Sequence, residues 1–343
     1  MQISNNKVST CWDRIISWSI ASSLLLLQVV IFNACEASGE KQERRWFSRN
    51  DSKSTSGTKD AEYGEFRYQG NDRTYLLYTP DSYKSDKAAA LVVVLHGGHG
   101  DAKVALERTG FNEIADREGF LVLYPEGIGK YWNDGRSTVP GKADDVGFIT
   151  TLIDHVAKQK NIDSRRVYVT GSSNGGLMTQ RLACESPDRF AAFAAVIANF
   201  PVELEAVCIS KHHASIMIIN GKDDVLMPWA GGEIKKGRFV KGGGGAILSA
   251  EETAQFWAKK NQCDNKYDHI KLPDKDPSDD TRIEKFKYLG CKNGTEVILY
   301  AVDGGGHTWP GSKTRTLRIS GKVSQDMNAS EVIWEFFDRH RGQ

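Results

Sequence analysis

Neither sign of charge dominates this sequence. Forty-five lysines and arginines are interspersed with 44 aspartates and glutamates along 343 residues, for a net charge of +1. The clustered basic footprint of a nucleic-acid-binding protein is therefore missing. Cysteine is scarce, with six in all, and no CxxC or Cys/His spacing points to a zinc site. No internal repeat is evident. After the first few dozen residues the composition is that of an ordinary soluble globular protein.

Charge is also missing from one local stretch. Ile15 to Ala34, "IISWSIASSLLLLQVVIFNA", carries none, and Lys7 and Arg14 precede it. Three readings of residues 1–37 follow. One is a secretory signal peptide with its apolar core near "LLLLQVVIF". The second is an uncleaved anchor, since the stretch is just long enough to span a bilayer. The third is a lipoprotein attached at Cys35, although Phe32-Asn33-Ala34 fits that signal only at its last position. All three place the remainder outside the cytoplasm, extracellular or in the cell envelope. Residues 38–61, polar and charged, are expected to be a disordered tether. Residues 62–343 are expected to form one catalytic domain. Four cysteines fall there, an even number in an exported protein. Pairing by proximity gives Cys184–Cys208 and Cys263–Cys291.

What the chain does have is alternation of strands and helices. "EFRYQGNDRTYLLYTP" reads as a hairpin around Gly70-Asn71-Asp72. "ALVVVLHGG" is a continuous apolar run ending in glycines, as a buried parallel strand would be. "FLVLYPEG", "RRVYVTG", "RFAAFAAVIAN", "ASIMIING" and "EVILYAVDG" read as further strands. "VGFITTLIDHVAKQ", "GGLMTQRLACES", "SAEETAQFWAKKN" and "SEVIWEFFDRH" read as helices. The fold class is α/β: about eight strands, mostly parallel, with helices on both faces and the first two strands antiparallel. The segments "WAGGEIKKGRFVKGGGGAIL" and "DKDPSDDTRIEKFKY" read as loops or small hairpins over the sheet.

"VYVTGSSNGG" carries the chemistry. Gly171-Ser172-Ser173-Asn174-Gly175 fits G-x-S-x-G only with Ser173 at the centre, between a strand and a helix, where a nucleophilic serine sits in a sharp turn. A serine needs a base. His307, in the glycine-rich loop "DGGGHTWPG" after a strand, is the candidate. His269 lies in the charged segment and His340 beside the C-terminus. Asp223 and Asp224, at the end of "IMIING", are equally spaced candidates for the acid that orients the imidazole. Backbone N–H groups of Asn174 and Gly98 are the expected oxyanion donors. His96 and His99 have no third ligand nearby in sequence, so a structural role is expected for His96. Asp144 and Asp145 read as a helix N-cap and a buried structural carboxylate. Asn293 and Asn328 open glycosylation sequons.

The segments "LVVVLHGG", "YWNDG", "DDVGFI", "RRVYVTGSSNGG", "DRFAA", "NGKDDVLMPWAGG" and "GGGHTWPG" together resemble the exported polyhydroxybutyrate depolymerase and feruloyl esterase family of α/β-hydrolases, which includes acetylxylan esterases. The resemblance runs from about Glu65 to Arg339. It implies a Ser173, Asp224, His307 triad, the acid standing four residues before Pro228. It also implies the Cys263–Cys291 bridge and a substrate cleft bordered by Trp132, Trp229 and Trp309. Trp229 stands where the family often has tyrosine, Gly98 where cysteine is frequent and Asn220 where histidine is frequent.

The expected activity is serine ester hydrolysis through an acyl-enzyme. The substrates are feruloyl or acetyl esters on polysaccharide, or hydroxyalkanoate polyester or oligomers. No metal or organic cofactor is required. The expected partner is the ester substrate alone, with no nucleic acid; the protein is otherwise expected to be a monomer, with membrane attachment only through the N-terminus. A serine peptidase or acylaminopeptidase on the same fold is one rival. A non-catalytic binding protein is the other, although all three triad positions are filled. With no appended binding domain expected, solid crystalline polymer is disfavoured as substrate.

Overall fold

The computed structural model of the protein describes residues 61–235, 243–314 and 317–342. The readings of 1–37 as signal or anchor and of 38–61 as tether fall outside the described residues, apart from Ala61. Strands β1 (Glu62–Tyr68) and β2 (Asn71–Tyr78) form the antiparallel hairpin. Tyr68 pairs with Asn71, so the turn is Gln69-Gly70, one residue earlier than the composition implies. Both turn residues have positive φ, 46° and 81°, as a two-residue turn matched to strand twist requires.

Strand β3 (Ala89–Leu95) is buried at every position. Its side chains alternate between two cores. Leu91, Val93 and Leu95 point into one, and Ala90, Val92 and Val94 into the other. Helices α1 (Ala102–Thr109) and α2 (Phe111–Glu118) follow, separated by Gly110 at φ 65°. These eight-residue helices were not anticipated; each holds too few turns for a clear apolar period. Next come β4 (Leu121–Pro125), α3 (Asp145–Ala157), β5 (Ile162–Ser172) and α4 (Asn174–Glu185). Strands β6 (Ala192–Val196) and β7 (Ile216–Gly221) complete the central run. Among its described residues, the glycine-rich segment holds the two-residue strands β8 (Gly232–Glu233) and β9 (Ala246–Ile247), paired with each other.

Helix α5 (Ala250–Lys260) opens with a reciprocal cap between Ser249 and Glu252. Strands β10 (Tyr267–Lys271), β11 (Arg282–Tyr288) and β12 (Val297–Asp303) precede the last helix, α6 (Ala329–Asp338). The main sheet runs β1-β2-β4-β3-β5-β6-β7-β12-β11-β10. The six strands from β4 to β12 are mutually parallel, and the flanking pairs are antiparallel. Phe148 and Leu152 of α3, Met178 and Leu182 of α4 and Trp257 of α5 fill the core on one face. Phe111 and Ile114 of α2, with Ile333, Phe336 and Phe337 of α6, fill the other.

One expectation is corrected here. The charged segment is not a loop over the sheet. It supplies β11, which pairs with β10 just before the segment, and the two extend the sheet to ten strands. An edge hairpin has few apolar neighbours, and its lysines and acids blunt the open edge. That composition disguised it as loop.

Both expected disulfides form. Cys184–Cys208 ties the end of α4 to the segment before β7, and Cys263–Cys291 joins the chain after α5 to the chain after β11. The double variant Cys184→Ala/Cys208→Ala removes a bridge of sequence separation 24. It is expected to be about 3 kcal/mol less stable, measured as a lower urea midpoint, with any change of slope reporting the less constrained unfolded chain.

Candidate active site

The parallel strands converge on one carboxyl-terminal edge, where open α/β sheets bind ligands. Strand β5 ends at Ser172 and α4 begins at Asn174, so Ser173 alone makes the turn. Its backbone is held at φ 54°, ψ −121°, a region that L-residues occupy only when their surroundings impose it. The flanking glycines impose it. A Cβ on Gly171 would lie 2.5 Å from the Gly175 carbonyl, and one on Gly175 would lie 2.4 Å from the Leu95 oxygen. No side chain fits at either position. The Ser173 N–H donates to the Val196 carbonyl at 2.9 Å, and its own carbonyl accepts the first α4 bond, from Leu177. Ser172 is buried at 6 % exposure, whereas Ser173 is partly open.

Asp224 and His307 meet. His307 Nδ1 lies 2.6 Å from Asp224 Oδ2, and the Asp224 side chain is 1 % exposed against 12 % for His307. The other carboxylate oxygen accepts the N–H groups of Leu226 and Met227, each at 2.8 Å. The acid is thus fully hydrogen-bonded and held as an acceptor, which places the proton on Nδ1 and leaves Nε2 as the basic nitrogen. Asp223 is exposed, and its N–H donates to the Gly305 carbonyl, joining the loops after β7 and β12. Asp224 is therefore the carboxylate on the imidazole. Ser173, Asp224 and His307 follow β5, β7 and β12, which lie in the sheet order β5-β6-β7-β12.

The loop after β3 runs beside Ser173. A Cβ on Gly97 would lie 3.5 Å from the Ser173 Cβ, and one on Gly98 would lie 3.7 Å from the Asn174 Cβ. Among the described residues, no acceptor takes the N–H of Gly98 or of Asn174. Asn174 opens a helix, where the first N–H groups have no intrahelical partner and the helix dipole favours negative charge.

Beneath this edge lies a polar scaffold of which the sequence reading anticipated only Asp144, as an N-cap, and Asp145, as a buried structural carboxylate. The Asn174 side chain accepts the Trp132 N–H at 2.8 Å, and its amide donates to the Trp132 carbonyl and to Asp134. Asp134 is buried and paired with Arg136 at 2.6 Å. Asp145 is buried, pairs with Arg73 at 2.8 Å and accepts the Asn133 N–H at 2.7 Å. These contacts hold the "YWNDGR" segment from three sides. Asp144 caps α3 through the Gly147 N–H, as expected. The only sequence signal for the rest was charge inside otherwise apolar or glycine-bounded segments.

His96 is structural. Its Nε2 accepts the Gly127 N–H at 2.9 Å, which leaves Nδ1–H to donate to the Gly97 carbonyl. Both ring nitrogens are committed, and burial lowers the imidazole pKa. His99 contacts the Tyr131 hydroxyl. Asn220, at the end of β7, accepts the Ala198 N–H and donates to Asn199.

The expectation that three tryptophans border a cleft is corrected for two of them. Trp132 (0 % exposed) and Trp309 (1 %) are buried. Their indole N–H groups donate to the His96 carbonyl and to Ser330 Oγ. Fully enclosed rings with satisfied N–H groups are core side chains and present no surface to a substrate. Trp229 is partly exposed.

Sheet order and helix placement define the class: an α/β-hydrolase. An acetyl xylan esterase from Aspergillus awamori has a similar fold (TM-score 0.52, 18 % identity, 72 % of this chain and 94 % of that one). Residues 73–216 match the family model described as Esterase PHB depolymerase. NocK of Nocardia uniformis subsp. tsuyamanensis, a protein named as an esterase, is 28 % identical over 276 residues, 78 % of this chain and 79 % of that protein. Feruloyl esterase B of Piromyces equi is 27 % identical over 242 residues, 68 % of this chain but 42 % of that enzyme. Acetylxylan esterase A of Emericella nidulans is 33 % identical over 122 residues, 34 % of this chain and 40 % of that enzyme. The chain thus spans less than half the length of these last two. It is similar to carboxylic ester hydrolases of the polyhydroxybutyrate depolymerase and feruloyl esterase family.

The neutral His96 sets a pH dependence. Its folded pKa is lowered, so its contribution to stability is complete above the ordinary imidazole value of about 6.5. The contribution is lost as pH falls through the depressed folded value. His340, buried with its pKa also lowered, acts in the same direction. His96→Gln is expected to reduce the urea midpoint at pH 7.5 and to flatten its decline between pH 6.5 and 4.5. Parallel wild-type and variant curves would contradict this.

Proposed function

We propose that this protein is an exported serine esterase. Ser173 attacks the ester carbonyl, and His307 Nε2 takes its proton. Asp224 holds the imidazole through Nδ1–H and stabilises the imidazolium. The N–H groups of Asn174 and Gly98 receive the oxyanion, each contributing about 3 kcal/mol to lowering the barrier. His307 then protonates the departing alcohol. Water, deprotonated by the same imidazole, hydrolyses the acyl-enzyme and returns the proton to Ser173. No step calls for a metal or an organic cofactor.

The observation that carries this reading is the 2.6 Å contact between His307 and an Asp224 fixed by two backbone N–H groups. A carboxylate so held serves only to orient and polarise an imidazole, and Ser173 stands strained on the same edge of the sheet. The substrate class is a feruloyl or acetyl ester carried on polysaccharide, with hydroxyalkanoate oligomers as the alternative. The names of the relatives support the first. Residues 62–343 form the catalytic domain, and 1–37 direct it out of the cytoplasm. The two disulfides support an oxidising compartment. The protein works as a monomer.

With p-nitrophenyl acetate, Ser173→Ala is expected to reduce turnover to background, while Ser172→Ala leaves it measurable. Asp224→Asn, which favours the wrong tautomer, is expected to reduce kcat about 10⁴-fold. Retained activity in Ser173→Ala would refute the proposal.

A further inference from the structure

A concave site lies at the far end of the sheet from Ser173. It is a cavity of about 460 Å³ between the C-terminal half of α5 and the β10–β11 hairpin, lined by Gln255, Lys259, Asp264, Asn265, Tyr267 and Tyr288. Its place in the fold separates it from the catalytic edge. Strand β11 runs antiparallel to β12. Arg282 pairs with Asp303 at the catalytic end, and Lys287 pairs with Ile298 at the other. Five residue steps along the strand, about 17 Å, separate those two ends. Tyr288 lies one residue beyond Lys287.

The lining has two chemistries. Tyr267 is 53 % exposed, and its ring centroid is 5.7 Å from that of Tyr288 and 5.5 Å from that of Phe286. Tyr267 pairs with Tyr288 and His269 with Phe286, so these four rings share one face of the hairpin. The His269 and Phe286 rings stack at 4.5 Å. Successive positions on one face repeat about every 6.8 Å, so the rings form a strip rather than a single spot. Most of the remaining lining is polar: the carboxylate, amide and ammonium groups of Asp264, Asn265, Gln255 and Lys259. Aromatic rings expose an apolar body beside a wet rim. Of the four rings, Tyr267 and the half-buried Tyr288 line the cavity, and polar groups beside two tyrosine rings fit a ligand that has a C–H face and a hydroxyl edge on each repeating unit.

The geometry points to a polysaccharide-binding site, distinct from the catalytic edge, that takes the pyranose units of a neutral glycan chain. Their C–H faces lie on Tyr267 and Tyr288, and their hydroxyls reach Asp264, Asn265 and Gln255. The inference rests on the polysaccharide-ester reading for its choice of ligand and deepens it: the enzyme holds the chain whose ester it cleaves. An aliphatic polyester offers no hydroxyl edge and fits the polar lining poorly.

The test is affinity gel electrophoresis of the folded protein in soluble arabinoxylan. It compares the parent, Ser173→Ala, Tyr267→Ala and Tyr267→Phe, with p-nitrophenyl acetate turnover measured alongside. The parent and Ser173→Ala are expected to be retarded equally. Tyr267→Phe keeps the ring and the retardation, and Tyr267→Ala is expected to bind about ten-fold more weakly with unchanged turnover. Retardation of Tyr267→Ala equal to the parent overturns the site, as does no retardation of the parent. If the parent binds arabinoxylan through Tyr267 but hydrolyses no ester, the binding site stands and the esterase proposal fails.

Discussion

The carboxyl-terminal edge depends on a backbone contact. Helix α4 packs so closely over the end of β3 that the Gly175 Cα faces the carbonyls of Leu95 and His96, with room for no Cβ. Gly171 meets the same helix from below. A chain confined between these two contacts must reverse in a single residue, and Ser173 absorbs the reversal at positive φ. Strain of this kind, of order 1–3 kcal/mol, persists because the surrounding sheet over-determines it. The same closeness brings the Gly97-Gly98 loop against Ser173 and Asn174. One packing constraint thus sets both the exposed hydroxyl and the two N–H groups beside it.

Charge secures what packing begins. Asn174 supplies a backbone N–H at the edge while its side chain clamps Trp132 and Asp134. Asp134–Arg136 and Asp145–Arg73 then fix the 131–136 segment through buried pairs. Such pairs add little net stability, but losing one partner leaves a buried charge at a penalty of about 3–5 kcal/mol. Their effect is to hold one arrangement of the loops against alternatives. Asp224 follows the same logic, since its two backbone donors occupy Oδ1 and leave Oδ2 for His307.

Much of this was legible in the letters. Gly171 and Gly175 bracket Ser173 because the crossing tolerates nothing larger, so the steric rule is written directly as residue type. His307 was legible from a glycine-rich loop after a strand. Asp223 and Asp224 were not separable by spacing, because what divides them is tertiary: the N–H groups of Leu226 and Met227 turn back onto one carboxylate. Trp132 and Trp309 misled because an indole suits a cleft and a core alike, and only burial distinguishes them. The β10–β11 hairpin was hidden by its own charges, which an edge needs and an interior strand lacks.

The central claim is that Ser173, and not its neighbour, is the group activated by the Asp224–His307 pair. Labelling with a fluorophosphonate, followed by mass-spectrometric mapping of the peptide containing Val167 to Cys184, tests it most directly. A single adduct on Ser173, formed far more slowly in His307→Ala, is the expected result. An adduct on Ser172, or labelling of Ser173 at the same rate without His307, would contradict the account.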